Sequence, residues 1–185
     1  TFEAVQPYAA GPARRVGIIT QSGAMAGNLR QALLAKGLNV VFAGSTGNEA
    51  ALTAEDVLGY LIDSDAVDVV ALFVEMFRQP ARLLEIARKA RLAGKPLVLV
   101  HPGRSLKARE AAQSHTGALA GDFDVMRTLV EREAAIVANS LDEAFDTVAI
   151  LARFPQAVSG GIAVSSNSGA IPGVSVDGCE SLALP

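Results

Sequence analysis

The chain has 185 residues, half of them hydrophobic and 19% charged, with a formal net charge of −3. That length suits one domain of ordinary size with a piece of another, and the charge argues against the clustered basic surface of a nucleic-acid binder. The single cysteine, Cys179, excludes an internal disulfide framework and fits a reducing, cytoplasmic setting; no apolar run approaches the ~20 residues of a membrane-spanning helix.

The chain begins at Thr1 rather than Met, which suggests a fragment and leaves room for a lost targeting peptide. Residues 1–14, with Pro7, Gly11 and Pro12, are aperiodic and read as a linker. "RVGIIT" (15–20) is a short β-branched run, followed without a hairpin turn by a helical pattern from Gly23 to Lys36 that Gly37 stops. "NVVFA" (39–43) is the second strand. Thr53 and Asp56 form an acidic capping signature for a helix over 54–63. "VDVVALFV" (67–74) is nearly continuous in apolar residues, as a strand covered on both faces should be. Pro80 opens the next helix, with Leu83, Ile86, Ala87 and Ala90 inward and Arg82, Glu85, Arg88 and Lys89 outward. Gly94 closes it, and "KPLVLVH" (95–101) is the fourth strand. After a long loop come a helix near 122–133, a strand "AAIVA" (134–138) and a helix over 140–152 with a capping box in Ser140 and Glu143.

Five βα units in strict alternation over residues 15–154 predict an α/β fold with a doubly wound, parallel, five-stranded sheet of flavodoxin-like type. Residues 155–185 break the pattern and start again. "GIAVSSNSGAIPG" repeats the plan of "GIITQSGAMAG": a glycine-led strand, a polar turn, Ser-Gly-Ala, then a helix. One strand and one helix cannot bury a core alone, so this tail reads as a linker and the start of a second, truncated flavodoxin-like domain.

Ligands of open parallel sheets sit beyond the carboxyl ends of the strands. Those ends carry Gln21-Ser22-Gly23, "GSTGNEA" (44–50), Glu75 and the long 101–121 segment, so both histidines, one carboxylate and several hydroxyls gather on one edge. Ser22-Gly23 opens a helix whose N–H groups favour an anion, although Ser22 also suits an ordinary N-cap. Glu75 points into the crevice, where a carboxylate beside an imidazole fixes its tautomer and stabilises its cation, or it is a solvated strand end. His115 sits among small residues, with Gly117 and Gly121 letting backbone approach a ligand closely; the alternative is a hydrogen-bonded structural histidine. His101, beside Pro102, reads as strand-end packing. No Walker loop, G-x-G-x-x-G, H-E-x-x-H or CxxC is present, and no metal site is expected. Ser22, Glu75 and His115 also allow a serine-hydrolase layout, but Thr20 stands where a nucleophile elbow needs glycine.

"SHTGALAG" (114–121) with "PGRS" upstream, "STGNEA" after the second strand and "TQSGA" after the first resemble the NDP-forming acyl-CoA synthetases, relatives of succinyl-CoA synthetase, over residues 12–185. The resemblance implies that His115 is phosphorylated during turnover and that Glu75 pairs with it. It also implies that two helix N-termini, Ser22-Gly23-Ala24 and Asn167-Ser168-Gly169, face the phosphoryl group, with Gly117 in the loop. CoA and ATP or ADP with Mg²⁺ are then expected in the complete enzyme, bound mainly by a CoA-binding Rossmann domain and an ATP-grasp domain of the parent protein or a partner subunit. None is expected to bind this part tightly, and alone it should be inactive. A small carboxylic acid is the implied substrate, in a homo-oligomer without nucleic-acid or membrane partners. The alternative implied by similar domain sets is an acyl-CoA- or nucleotide-responsive regulatory module of a protein acetyltransferase, in which the histidine is often replaced; here it is intact.

Overall fold

The computed structural model describes residues 14–105, 107–108, 122–156 and 163–182. The chain divides into two compact units at Pro155/Gln156. In the first, the order is β1 (Arg15–Thr20), α1 (Gly23–Ala35), β2 (Asn39–Ser45), α2 (Ala54–Asp63), β3 (Val69–Phe73), α3 (Pro80–Leu92), β4 (Leu97–Val100), α4 (Phe123–Arg132), β5 (Ile136–Val137) and α5 (Leu141–Arg153). The five strands lie in the order β2-β1-β3-β4-β5, and every pairing is parallel, which is the flavodoxin-like arrangement the alternation predicts.

Strand side chains alternate between two faces, and here both faces are buried. Val16, Ile18, Val69 and Val98 enter one apolar cluster with Leu29 and Leu33 of α1 and Val148 of α5. Ile19, Val70, Leu72 and Leu97 enter the other, with Leu58 of α2, Ile86 of α3 and Val130 of α4. Each fully buried aliphatic side chain contributes about 1.5–3 kcal/mol relative to exposure, so the two clusters hold the helices on opposite sides of the sheet. The buried residues of α3 are Leu83, Ile86, Ala87 and Ala90, the face expected from its periodicity.

The edge strand β2 departs from simple alternation. Val16 pairs with Val40 but Gly17 pairs with Phe42, so Val41 is an extra residue, a β-bulge. Val40 therefore packs in one cluster and Phe42 against the other, with Val41 exposed. The Phe42 ring lies over Gly44, where an added Cβ would meet its Cζ at 2.9 Å.

Local chemistry sets the element ends. Thr53 and Asp56 form the complete capping box of α2. At α5 the box is displaced: Ser140 Oγ accepts from the Glu143 N–H at 3.1 Å, but the Glu143 carboxylate accepts from the N–H of Asn139, not of Ser140, at 2.8 Å. Gly37 and Gly94, at φ 75° and 67°, close α1 and α3 in paired backbone hydrogen bonds. Ala134 takes the same left-handed turn, φ 61°, after α4. That turn shortens the strand expected over 134–138 to Ile136–Val137. The strand expected over 67–74 is Val69–Phe73, because Asp68 turns its carboxylate onto the backbone N–H of Arg15 at 2.8 Å and its guanidinium at 2.9 Å. The Arg15 hydrogen bond, opposed by partial desolvation, holds the Asp68 carboxyl below its usual range.

In the second unit, α6 (Ile171–Ser181) buries none of its residues. The strand expected at its start falls partly on 161–162, outside the described residues, and 163–166 pair with no strand among the described residues.

Candidate functional site

The carboxyl ends of β1, β2 and β3 meet at a pocket of about 260 Å³ lined by Gln21, Ser22, Gly23, Glu49, Glu75 and Arg78, among others. Its floor is built by a short turn. The fully buried Thr20 accepts the Ser22 N–H on its Oγ1 at 2.9 Å, which folds the chain so that α1 starts at once. Ser22 caps that helix, its side chain accepting from the Met25 N–H, so the cap and the exposed first residues, Gly23 and Ala24, stand at the positive end of a 13-residue helix.

Gln21 ties the three strand ends together. Its Nε2 donates to Glu49 Oε1 and to the Met76 carbonyl, each at 2.7 Å. Its Oε1 accepts the backbone N–H groups of Glu75 and Met76, at 2.8 and 3.1 Å. Glu75 sits in a bend two residues past β3, half-buried, with its main chain fixed by this amide.

Glu49 is the residue that sequence reasoning did not single out. Its side chain is only 1% exposed, and its backbone is left-handed at φ 57°, a conformation that costs a non-glycine residue about 1–2 kcal/mol. Oε1 accepts from Gln21, from Thr46 Oγ1 at 3.3 Å and from the Ala54 N–H at the start of α2 at 2.8 Å. Among the described residues Oε2 has no hydrogen-bond partner, and it stands 3.4 Å from Arg78 Nε. The sequence signal was an acid inside a Gly-rich turn, indistinguishable there from a solvated loop charge. Glu55, in the first turn of α2, is fully buried as well; its Oε1 accepts the Gln79 N–H at 2.7 Å and so anchors the start of α3.

A second, mainly apolar cavity of about 330 Å³ adjoins the first along Glu75 and Met76, which line both, and runs between α3 and α4. His101 lies in its wall. The ring donates Nδ1–H to the Val74 carbonyl at 2.7 Å, since a carbonyl can only accept, and it stacks between Phe77 and Phe123, with centroids 6.5 and 5.8 Å away. Burial holds its pKa below the ordinary histidine value, against the opposing pull of the Val74 carbonyl and the Glu75 charge. His101 is therefore a packed side chain whose burial favours the neutral ring.

His115 and Gly117 lie outside the described residues. The described residues on either side of 109–121 are Ala108, in a pocket with Arg104 and Asn139, and Asp122, in the cavity that Glu75 shares. Asn167, Ser168 and Gly169 belong to the second unit, in the turn before α6; the helix begins at Ile171, whose N–H bonds to the Ser168 carbonyl at 3.3 Å. Among the described residues no three His, Cys, Asp or Glu side chains cluster as a metal site, and no helix is long and apolar enough to cross a membrane.

Comparison with known proteins sets this geometry in context. Residues 13–151 match the succinyl-CoA ligase like flavodoxin domain. A trans-feruloyl-CoA synthase, FCS1, from an unknown prokaryotic organism is 44% identical over 92% of this chain and 24% of its own length. An ADP-forming acetate–CoA ligase of Archaeoglobus fulgidus is 32% identical over the whole chain and 26% of its own. Among solved structures, dinucleotide-forming acetyl-coenzyme A synthetase 1 of Ca. Korarchaeum cryptofilum, in complex with phosphate and ADP, superposes with a TM-score of 0.69 at 25% identity, covering 77% of this chain and 31% of that one. The chain spans about a quarter of the length of the curated relatives it matches.

Proposed function

The chain belongs to the succinyl-CoA ligase like flavodoxin domain family, and from that membership we propose that it is the phosphoryl-carrying part of an ADP-forming acyl-CoA synthetase. The observation that carries the reading is the pocket itself. A helix N-terminus suited to an anion, the Glu75 carboxylate and Arg78 converge at one sheet edge, and Glu75 also lines a cavity that Asp122, the first described residue after His115 in the chain, borders.

The proposed reaction runs in three displacements. Inorganic phosphate attacks the acyl-CoA carbonyl and expels the CoA thiolate, giving an acyl phosphate. The neutral His115 imidazole attacks phosphorus and expels the carboxylate. A terminal oxygen of ADP then takes the phosphoryl group and returns the imidazole to its neutral form. Imidazole suits the middle step as a good nucleophile when neutral, with a reactive phosphoramidate. Glu75 would fix its tautomer and stabilise the cation that forms on attack, and the first N–H groups of α1 would hold the travelling dianion. We assign the same anion-holding part to Asn167, Ser168 and Gly169 on the strength of the repeated Ser-Gly-Ala turn. Binding of CoA, and of the nucleotide with Mg²⁺, is assigned to CoA-binding and ATP-grasp domains beyond the quarter-length that this chain represents, in a cytoplasmic homo-oligomer. The isolated 185-residue chain is then expected to show no acyl-CoA synthesis.

The test uses the complete protein that carries this chain, with γ-labelled ATP and Mg²⁺, beside His115→Asn. Acid-labile, alkali-stable label on His115, absent from the variant and discharged by a carboxylic acid plus CoA, is the expected result. Absence of label under conditions where ATP binds would overturn the relay.

A further inference from the structure

A phosphoryl carrier must hold its cargo firmly enough to catch it and loosely enough to pass it on. Arg78 and Glu49, which line the anion pocket together, meet these opposed demands. We infer that Arg78 grips the phosphoryl group and that the buried carboxylate of Glu49 limits that grip; the inference rests on the phosphoryl-relay reading.

The Arg78 side chain is 44% exposed and shares the pocket with Ser22 and Gly23 at the start of α1. It is held loosely. Its Nε stands 3.4 Å from Glu49 Oε2, and a terminal nitrogen donates to the Asn48 carbonyl at 3.4 Å. Both contacts are longer than the roughly 2.7–2.9 Å of a tight charge-assisted hydrogen bond. A guanidinium is a planar fork of N–H donors that matches phosphate, so an arginine on such slack contacts can turn that fork to an incoming oxyanion. The terminal oxygens of a phosphoryl group are enough for this fork and for the first N–H groups of α1 as well.

The oxygens of Glu49 have separate tasks. Oε1 accepts from Gln21, from Thr46 and from the Ala54 N–H, and so holds the turn together. Oε2 is the oxygen beside Arg78. The residue sits at φ 57°, and backbone strain of this kind clusters at ligand clamps. Glu49 can affect a bound anion in two ways of opposite sign. By steadying Arg78 it would strengthen binding; as a negative charge in the pocket wall it weakens binding. Its contact to Arg78 is long and half open to water, so the steadying contributes little. Its own side chain is only 1% exposed, so water and salt screen the charge poorly. Whatever else borders the pocket, that charge repels an anion there. The repulsion is the larger effect. The carrier gains by it, because grip that is equal before and after transfer speeds nothing.

The test is amide NMR of this chain titrated with inorganic phosphate and read at Ser22 and Gly23. Glu49→Gln keeps an oxygen for Gln21, Thr46 and Ala54 but removes the charge, and should tighten phosphate about three- to tenfold. Arg78→Met should weaken it about tenfold or more. In the complete protein, acyl-CoA cleavage at varied phosphate should show Glu49→Gln lowering KM for phosphate and kcat together, a pattern that damage to the turn would not produce. Should Glu49→Gln not fold, Glu49→Asn removes the same charge, asparagine taking a left-handed φ more readily, and is held to the same outcome. Either neutral variant, once folded, weakening phosphate or leaving it unchanged would overturn the inference, as would Arg78→Met binding like wild type. Such indifference with label on His115 would overturn the grip alone; phosphate affinity that follows both substitutions without label would support the grip and overturn the relay.

Discussion

Replacing Gln21 with leucine keeps the bulk of the side chain and removes every side-chain hydrogen bond through which it joins the three strand ends, leaving its backbone N–H on the Phe73 carbonyl. The N–H groups of Glu75 and Met76, the Met76 carbonyl and Glu49 Oε1 each lose a partner. An unsatisfied buried polar group costs about 1–3 kcal/mol. Gln21 is half-buried, so water recovers part of this, and Glu49 Oε1 keeps Thr46 and Ala54. The net loss is expected at about 2–3 kcal/mol, or about 6–9 °C at ~3 °C per kcal/mol for a unit this size. Gln21→Glu separates the amide's two roles. It keeps an acceptor for the two N–H groups but sets a second carboxylate where Nε2 lay, 2.7 Å from Glu49 Oε1. Like charges that close cannot both ionise, so one folded-state pKa rises above its unfolded value. Stability from that group is present below the unfolded pKa and is lost as pH rises through the folded one. Urea denaturation should therefore place Gln21→Glu near wild type at low pH and well below it at neutral pH, while Gln21→Leu is destabilised at both. A leucine variant within about 0.5 kcal/mol of wild type, with unchanged amide shifts at Glu75 and Met76, would refute this account, because it lies inside the ordinary scatter of surface substitutions.

Three further outcomes follow from the same structure. Ala134→Gly, at φ 61°, relieves a left-handed alanine and should raise the urea midpoint by an amount equivalent to about 0.5–1 kcal/mol; a lowered midpoint would contradict the turn. His101 has a pKa pulled down by burial, so its neutral form favours folding above the unfolded value of about 6.5, and that stability is lost as pH falls through the depressed folded value. Melting curves of wild type and His101→Phe should therefore diverge in slope on acidification below that point. Asp68, held low by Arg15, contributes above the ordinary carboxylate pKa and loses its contribution as pH falls through the lower folded value, so Asp68→Asn should flatten the acid limb of the same curves.

The sheet and its helices were legible because their signals are local and repeated: the near-continuous apolar run of β3, the inward face of α3, and Thr53 with Asp56 all mean the same thing in sequence and in space. What was not legible depends on backbone geometry that no neighbouring residue announces. Ala134 closes a helix in a turn usually given to glycine, so the strand behind it was read too long. Glu143 looks like half of a reciprocal cap, yet its carboxylate reaches one residue further, to Asn139. At the site, the position of Glu75 beyond a buried strand was readable from topology alone. Glu49 was not, because its burial follows from a positive φ and from the amide of Gln21, a residue nearly thirty positions earlier whose four partners span two other loops.

The extra residue at Val41 has a consequence for how this protein behaves in company. A sheet with an open flank is a template on which a second chain can lay a strand. Here one flank is β5, only two residues long, and the other is β2, whose register slips between Val40 and Phe42. An incoming strand would find no more than a few consecutive rungs on either side before the ladder ended or broke. The residue that spoils the alternation of β2 thus also denies the molecule a continuous seam for growth into ribbons, a safeguard written into the geometry of the margin rather than into its charge.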